Sequence, residues 1–239
     1  MENSLTPRPG RLKGGVISPL LANIYLHYVL DVWFAEVVQP RLKGRAFLVR
    51  YADDFVMGFA CEEDARRVLD VLPKRFCKYG LNLHQDKTRL VPFVRPSNRP
   101  ATDGSRVPPG QSFDFLGLTH FWSRSKQGNW VVKQATAGSR FQRAVRRIAE
   151  WCRLNRHLPL AVQHRSLWQK LRGHITYYGV IGNLDALRRF RNAVLCQWRK
   201  WLSRRHRRGG WSWARLYAYL QSHPLPFPCA WDAPRVASP

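Results

Sequence analysis

Residues 50–59 read RYADDFVMGF. Two adjacent carboxylates, Asp53 and Asp54, stand between two short apolar runs, AFLVRYA (46–52) and FVMGFA (55–60), each with the composition of a β-strand. Two such runs meeting at a pair of turn-forming residues predict a β-hairpin with the acids at its bend.

Working outward, the hairpin is flanked by helical patterns. Ser18-Pro19 predicts a helix start, Ser as N-cap and Pro in the first turn, leading into LLANIYLHYVLDVWFAEVV (20–38), a long, largely buried helix. After the hairpin, EEDARRVLDVLPKRFCKYG (62–80) places Ala65, Val68, Leu69, Leu72, Phe76 and Tyr79 at helical spacing. Gly80 supplies the stop, and Pro73 predicts a kink or a break. Short strands are expected around LNL (81–83) and TRLVPF (88–93), then a polar, Pro- and Gly-rich loop over 95–111. SFDFLGLTHFW (112–122) reads as one strand whose hairpin partner is NWVVK (129–133). From about residue 138 the pattern is helical only: FQRAVRRIAEWCRLN (141–155), LDALRRFRNAVLCQWRKWLSRR (184–205) with a stripe of Leu187, Phe190, Val194, Trp198 and Trp201, and WSWARLYAYL (211–220) before a Pro-rich tail.

Charge is distributed unevenly. The 239-residue chain carries 40 Lys and Arg against 15 Asp and Glu, a net charge of +25, which points to a polyanionic partner, nucleic acid above all. Residues 1–120 hold 17 basic and 12 acidic side chains, residues 121–239 hold 23 and 3, so the anion-binding surface is expected to be C-terminal. No run of roughly 18 uncharged apolar residues and no signal peptide is read here, so no membrane partner and a cytoplasmic location are expected. The five cysteines (Cys61, Cys77, Cys152, Cys196, Cys229) and eight histidines are scattered, without zinc-ligand spacing, and read as reduced thiols with no disulfide partner.

The acidic pair admits two readings. Asp is at home in turns, so the pair can be an ordinary bend. Against that, neighbouring like charges are costly unless a cation sits between them, and hard oxygen donors select Mg²⁺ or Mn²⁺, the ions of phosphoryl transfer. Tyr51-Ala52-Asp53-Asp54 resembles the YxDD signature of reverse transcriptases. Four further stretches fall in the order found in one branch of that family, the reverse transcriptase/maturases encoded in group II introns. GGVISPLLANIYLH (14–27) is similar to the loop and helix upstream of their metal site, and LNLHQDKT (81–88) to the segment after the palm helix. FDFLGL (113–118) is similar to the strand closing the palm, and LWQKLRGHITYYGVIGN (167–183) to the core of the maturase-specific, thumb-like domain.

The resemblance implies an α+β fold: a partial right-hand polymerase palm, an antiparallel sheet packed on helices, over 1–135, then an all-helical thumb/maturase domain over 136–222 and a Pro-rich tail over 223–239. It implies that Asp53 and Asp54 are catalytic and hold Mg²⁺ or Mn²⁺. Tyr51 and Ala52 would shape the floor beneath a primer end. Gly14 and Gly15 would let backbone approach the nucleotide or template, or else serve as a flexible connection. Lys87 would contact phosphate. For RNA and for the template–primer duplex, the cationic candidates are Arg143, Arg146, Arg147, Arg188, Arg189, Arg191, Arg199, Lys200, Arg204, Arg205, Arg207 and Arg208. The aromatic pairs Tyr177-Tyr178, Trp198/Trp201 and Trp211/Trp213 suit base stacking, though their helical spacing favours core packing.

The family also places a metal-binding aspartate on a strand upstream of GGVISPLL, and its members read Gly-Thr-Pro-Gln where this chain has Gly10-Arg11-Leu12-Lys13. The expectation is therefore a truncated or rearranged form with impaired or absent polymerase activity alone, and poor solubility unless the chain pairs with another copy or with a polypeptide that supplies fingers and palm. The alternative is a non-catalytic intron RNA-binding and splicing module that keeps the basic helices. The purified 239-residue chain is expected not to extend a primer on an RNA template; Mg²⁺-dependent cDNA synthesis abolished by Asp53→Ala would overturn this.

Overall fold

The computed structural model describes residues 17–96, 111–205 and 210–228. The fold is α+β, with two small antiparallel sheets and six α-helices among the described residues. The chain divides into two compact units, Met1–Leu90 and Val91–Pro239. Gly14, Gly15, Arg207, Arg208, most of the loop expected over 95–111 and the end of the tail lie outside the described residues.

The first unit opens with α1 (Ser18–Leu26), which runs on through π-helical turns His27–Val32 and Phe34–Val38 to a 3-10 turn, Gln39–Arg41. Ser18 is not the cap. Ile17 holds the N-cap position with helical angles, and Ser18 begins the helix itself, a shift of one residue from the sequence expectation. The stretch Ser18–Arg41 is long and apolar enough, by length and composition, to cross a membrane; it carries Asp31 and Glu36, so it is not an uncharged apolar run of the kind whose absence the sequence predicts. Its second half is built into a core: Val29, Leu30, Trp33, Phe34 and Val38 pack with Val68, Leu72 and Phe76.

The predicted hairpin is present. β1 (Ala46–Tyr51) pairs antiparallel with β2 (Asp54–Phe59), in a register running from Ala46↔Phe59 to Tyr51↔Asp54. Along β1, burial alternates: Ala46, Leu48 and Arg50 face inward, whereas Phe47, Val49 and Tyr51 are exposed. Gly58 lies under the Phe47 ring; a Cβ there would come within 2.3 Å of it. Next, α2 (Glu62–Lys78) continues unbroken through Pro73, because its buried stripe Ala65, Val68, Leu72 and Phe76 spans the proline. The strands expected at 81–83 and 88–93 are absent. Those residues form no ladder; Leu81 and Leu83 instead pack on the first core, around a 3-10 turn, Gln85–Lys87.

In the second unit the strand expected over 112–122 is bent into two, β3 (Ser112–Phe115) and β4 (Leu118–Arg124), and β5 (Trp130–Thr136) follows in the order β3-β4-β5. The bend falls at Leu116 (φ 52°) and Gly117 (φ 79°), both in the left-handed region that two-residue hairpin turns require. Gly117 is needed on space as well as φ, since a Cβ would meet the Tyr178 hydroxyl at 3.0 Å. Buried Asn183 locks the sheet to the helices. Its Oδ1 accepts from Thr136 N at 2.8 Å, and its Nδ2 donates to Thr136 Oγ1 and Tyr178 O, each at 2.8 Å.

Four helices complete the unit: α3 (Gly138–Leu154), α4 (Leu160–Tyr178), α5 (Leu184–Ser203) and α6 (Trp213–Ser222). They enclose Ile148, Leu167, Leu171, Phe190, Val194, Leu195, Trp198, Leu202 and Leu216. Trp198 is fully buried and donates its indole N–H to Gln163 Oε1 at 3.0 Å, so its polar handle is satisfied inside the core. Cys152 is buried here too, which pushes its thiol up to about 12.

His174 on α4 stacks on Phe190, with ring centroids 3.7 Å apart, and burial pushes its imidazole down to about 4. The folded unit therefore holds His174 neutral where an unfolded chain, near 6.5, takes up a proton. Stability from this residue is fully present above that value and falls as pH drops towards 4, by at most about 3 kcal/mol. Urea unfolding between about pH 7 and about pH 4.5 should show this decline, and His174→Gln should flatten it.

Candidate active site

The acidic bend is a two-residue turn, Ala52-Asp53, closed by the Tyr51↔Asp54 pair. Ala52 adopts φ 53°, while Asp53 is not among the described residues with positive φ. A positive first and negative second central residue is the pattern of a type II′ turn, which favours glycine at the first position. Alanine there carries a steric cost of about 1–2 kcal/mol. The turn keeps this conformation because the flanking strands and a side-chain clamp determine it.

That clamp is Arg50, on the inward face of β1. Its Nε and Nη2 donate to the two Asp31 carboxylate oxygens at 2.7 and 2.6 Å, and its Nη1 donates to Asn23 Oδ1 at 3.0 Å and to the Ala52 carbonyl at 2.9 Å. His27 adds a contact to Asp31 at 3.4 Å. The hydrogen bond from Arg50 holds the Asp31 carboxyl below its ordinary range, and Asp31 raises the guanidinium in return. Asp31, Asn23 and Arg50 were not picked out as site residues from sequence. The available signal was an arginine at an inward position of a short strand, which demands a counterion.

Asp53 and Asp54 are both exposed, and no ion pair among the described residues involves either. Tyr51 is 66% exposed beside them. The donor set is two hard carboxylates with no competing cation, which suits Mg²⁺ or Mn²⁺ held by one or two acids while water and substrate phosphates fill the remaining positions. No group of three or more His, Cys, Asp or Glu able to hold a metal occurs among the described residues. Lys87 is exposed at the end of its 3-10 turn.

The cationic candidates of the second unit separate by what they touch. Arg143, Arg146 and Arg147 project from α3 into solvent without an intramolecular partner among the described residues, while Phe141, Ala144, Val145 and Ile148 of the same helix join the core. Arg188 and Arg189 are exposed on α5; Arg188 lies 3.9 Å from Asp185 and Arg189 lies over Phe141 at 5.9 Å. Four others are engaged within the unit. Arg191 donates to Pro226 O at 3.2 Å, Arg199 lies over Trp213 at 4.6 Å, Arg204 lies over Trp201 at 4.8 Å, and Arg205 donates to Leu158 O at 3.0 Å. Lys200 is exposed near Trp201. Among the aromatic pairs, Trp198 and Trp211 are buried, Trp201 is half-buried, and Tyr177 and Trp213 reach solvent.

Residues 10–120 match the family model described as reverse transcriptase (RNA-dependent DNA polymerase). The matched segment contains the hairpin, its clamp and the Leu116-Gly117 bend, and it supports a reverse transcriptase domain over that part of the chain. No curated protein matches the chain.

Relief of the strained turn is measurable. Ala52→Gly is expected to leave stability unchanged or raise it by up to about 1 kcal/mol, the steric gain being partly offset by backbone entropy. Ala52→Val, branched at a left-handed position, should lower it by about 1–2 kcal/mol. Thermal melts of the two variants check the sign.

Proposed function

We propose that this chain is a group II intron-type RNA-directed DNA polymerase and maturase whose polymerase activity is impaired or absent when it is alone. The observation that carries the reading is the acidic hairpin turn, exposed and without a cationic partner among the described residues, inside a segment that matches reverse transcriptases. Asp53 and Asp54 would hold Mg²⁺ or Mn²⁺. When bound, such an ion supplies charge neutralisation at phosphate oxygens and lowers the pKa of a primer hydroxyl. The chain's own part is to present the two carboxylates at a defined bend, with Tyr51 and Ala52 forming the surface beside them.

The hairpin would be part of a right-hand palm and the α3–α6 bundle the thumb-like maturase domain, with RNA or an RNA–DNA duplex along Arg143, Arg146 and Arg147. Three neighbouring guanidiniums free of internal partners among the described residues support phosphate binding. The outer face of the hairpin, with Phe47, Val49 and Tyr51 exposed, supports a polypeptide partner that covers it. A cytoplasmic location suits this activity.

A second reading keeps only the RNA: a splicing module that binds intron RNA through the basic helices and polymerises nothing. It is favoured by the small donor set, since Asp53 and Asp54 are the carboxylates the hairpin brings together and Asp31 is committed to Arg50.

One paired experiment separates the two. Asp53→Ala with Asp54→Ala should abolish Mg²⁺-dependent nucleotide incorporation by the chain supplemented with a polypeptide carrying fingers and the rest of the palm under the first reading, and leave RNA affinity and splicing assistance untouched under the second. Charge reversal at Arg143, Arg146 and Arg147 should reduce the salt slope of RNA binding by about one for each phosphate that is no longer neutralised. An unchanged slope would remove the α3 face from the RNA interface.

A further inference from the structure

An arginine on the packed face of a two-stranded hairpin is an expensive choice unless its position matters, because a desolvated guanidinium needs every donor answered. Arg50 is such a residue: its side chain is 13% exposed, on the same face as Leu48. Its donors are divided between two tasks. One edge of the fork is spent on Asp31, a bidentate pair that fixes the plane of the guanidinium against the helix. The remaining amino group, Nη1, reaches Asn23 on α1 and the carbonyl of Ala52 in the turn.

The Ala52 carbonyl belongs to the peptide joining Ala52 to Asp53, the central peptide of the turn. Type II′ and type I′ turns differ chiefly by a flip of that peptide, and type I′ requires positive φ at both central residues, here Ala52 and Asp53. Asp is among the residues that tolerate the left-handed region, so the turn residues themselves leave both forms open. A donor fixed on the Ala52 carbonyl opposes the flip, keeps Asp53 at negative φ and sets the direction in which its carboxylate leaves the backbone.

We infer that the Asp31–Arg50 ion pair is a positioning device that locks the Ala52–Asp53 peptide in one orientation and thereby aims the Asp53 carboxylate. Neither residue touches the reacting groups; Arg50 acts through the turn and Asp31 acts through Arg50. The inference concerns the backbone of the turn directly, and its bearing on metal binding rests on the proposed assignment of Asp53 as a ligand.

The test uses the full chain with two variants. Asp31→Asn keeps the shape and removes the charge that orients the fork; Arg50→Lys keeps the charge and removes the fork. Both are judged on protein that melts cooperatively, and Arg50→Lys alone decides if Asp31→Asn does not fold. The first readout is the φ angle of Asp53, from backbone three-bond couplings and the intraresidue NOE. It should be negative in the parent chain and acquire a positive-φ population in both variants. An unchanged Asp53 φ in the folded variants overturns the proposal.

The second readout is Mn²⁺ affinity by electron paramagnetic resonance titration. Each variant should bind about tenfold more weakly, the size expected when support for a ligand is removed, and the double variant should be no weaker than either single one. Asp53→Asn identifies which idea fails. If it leaves Mn²⁺ affinity unchanged, the metal assignment is wrong and the coupling data alone judge the positioning. If it weakens Mn²⁺ while Asp31→Asn and Arg50→Lys do not, the assignment stands and the positioning role is wrong.

Discussion

A guanidinium facing inward on a short hairpin must be matched by a carboxylate, and in this chain that one match ties three elements together. Asp31 comes from the helical stretch following α1, Asn23 from α1 itself, and the Ala52 carbonyl from the turn. A two-stranded hairpin alone is marginal in water. This one is held by Leu48, Phe55, Met57 and Phe59 against the core of Val29, Leu30, Phe34, Val68, Leu72 and Phe76, with the Arg50 clamp at the end that carries the acids. The alternation of β1 leaves the turn's carboxylates exposed while the residue before Tyr51 is anchored inside.

The second unit solves a different problem, how to carry a large excess of positive charge on a folded body. Its helices are sided: α3 spends Phe141, Ala144, Val145 and Ile148 on the core and presents Arg143, Arg146 and Arg147 to solvent. Elsewhere the cations lie over aromatic rings, as with Arg199 on Trp213, Arg204 on Trp201 and Arg215 on Trp211. Such an arrangement gives a guanidinium a favourable place without an acid. The three α3 arginines, which have no ring beneath them among the described residues, are among the cations left available to a polyanion.

Strong local periodicity was legible in the sequence. The hairpin around Asp53-Asp54, the helix from Glu62, α3 and α5 follow from apolar spacing, because each buries one stripe and exposes the rest, whereas α4 is not read from spacing. What sequence missed was decided by tertiary partners. Residues 112–122 look like one strand by composition. They fold into two because the Leu116-Gly117 turn packs against Tyr177 and Tyr178, with the Tyr177 hydroxyl 3.3 Å from the Leu116 carbonyl. Leu81 and Leu83 have strand-like alternation but no neighbouring strand, and they settle onto the first core instead. At the site, the exposed acids announced themselves by being adjacent, whereas Asp31 lay inside an apolar helix pattern, and its role depends on a residue 19 positions away.

The proposed polymerase chemistry rests on divalent metal collecting at the bend of the hairpin. Line broadening of backbone amide signals by sub-stoichiometric Mn²⁺, in a uniformly labelled full chain, reads that location residue by residue. Broadening is expected to centre on Ala52, Asp53, Asp54 and Phe55 and to fade with distance along β1 and β2. Broadening centred instead on the acidic first turn of α2, at Glu62 and Glu63, or spread evenly over the surface acids, would contradict it.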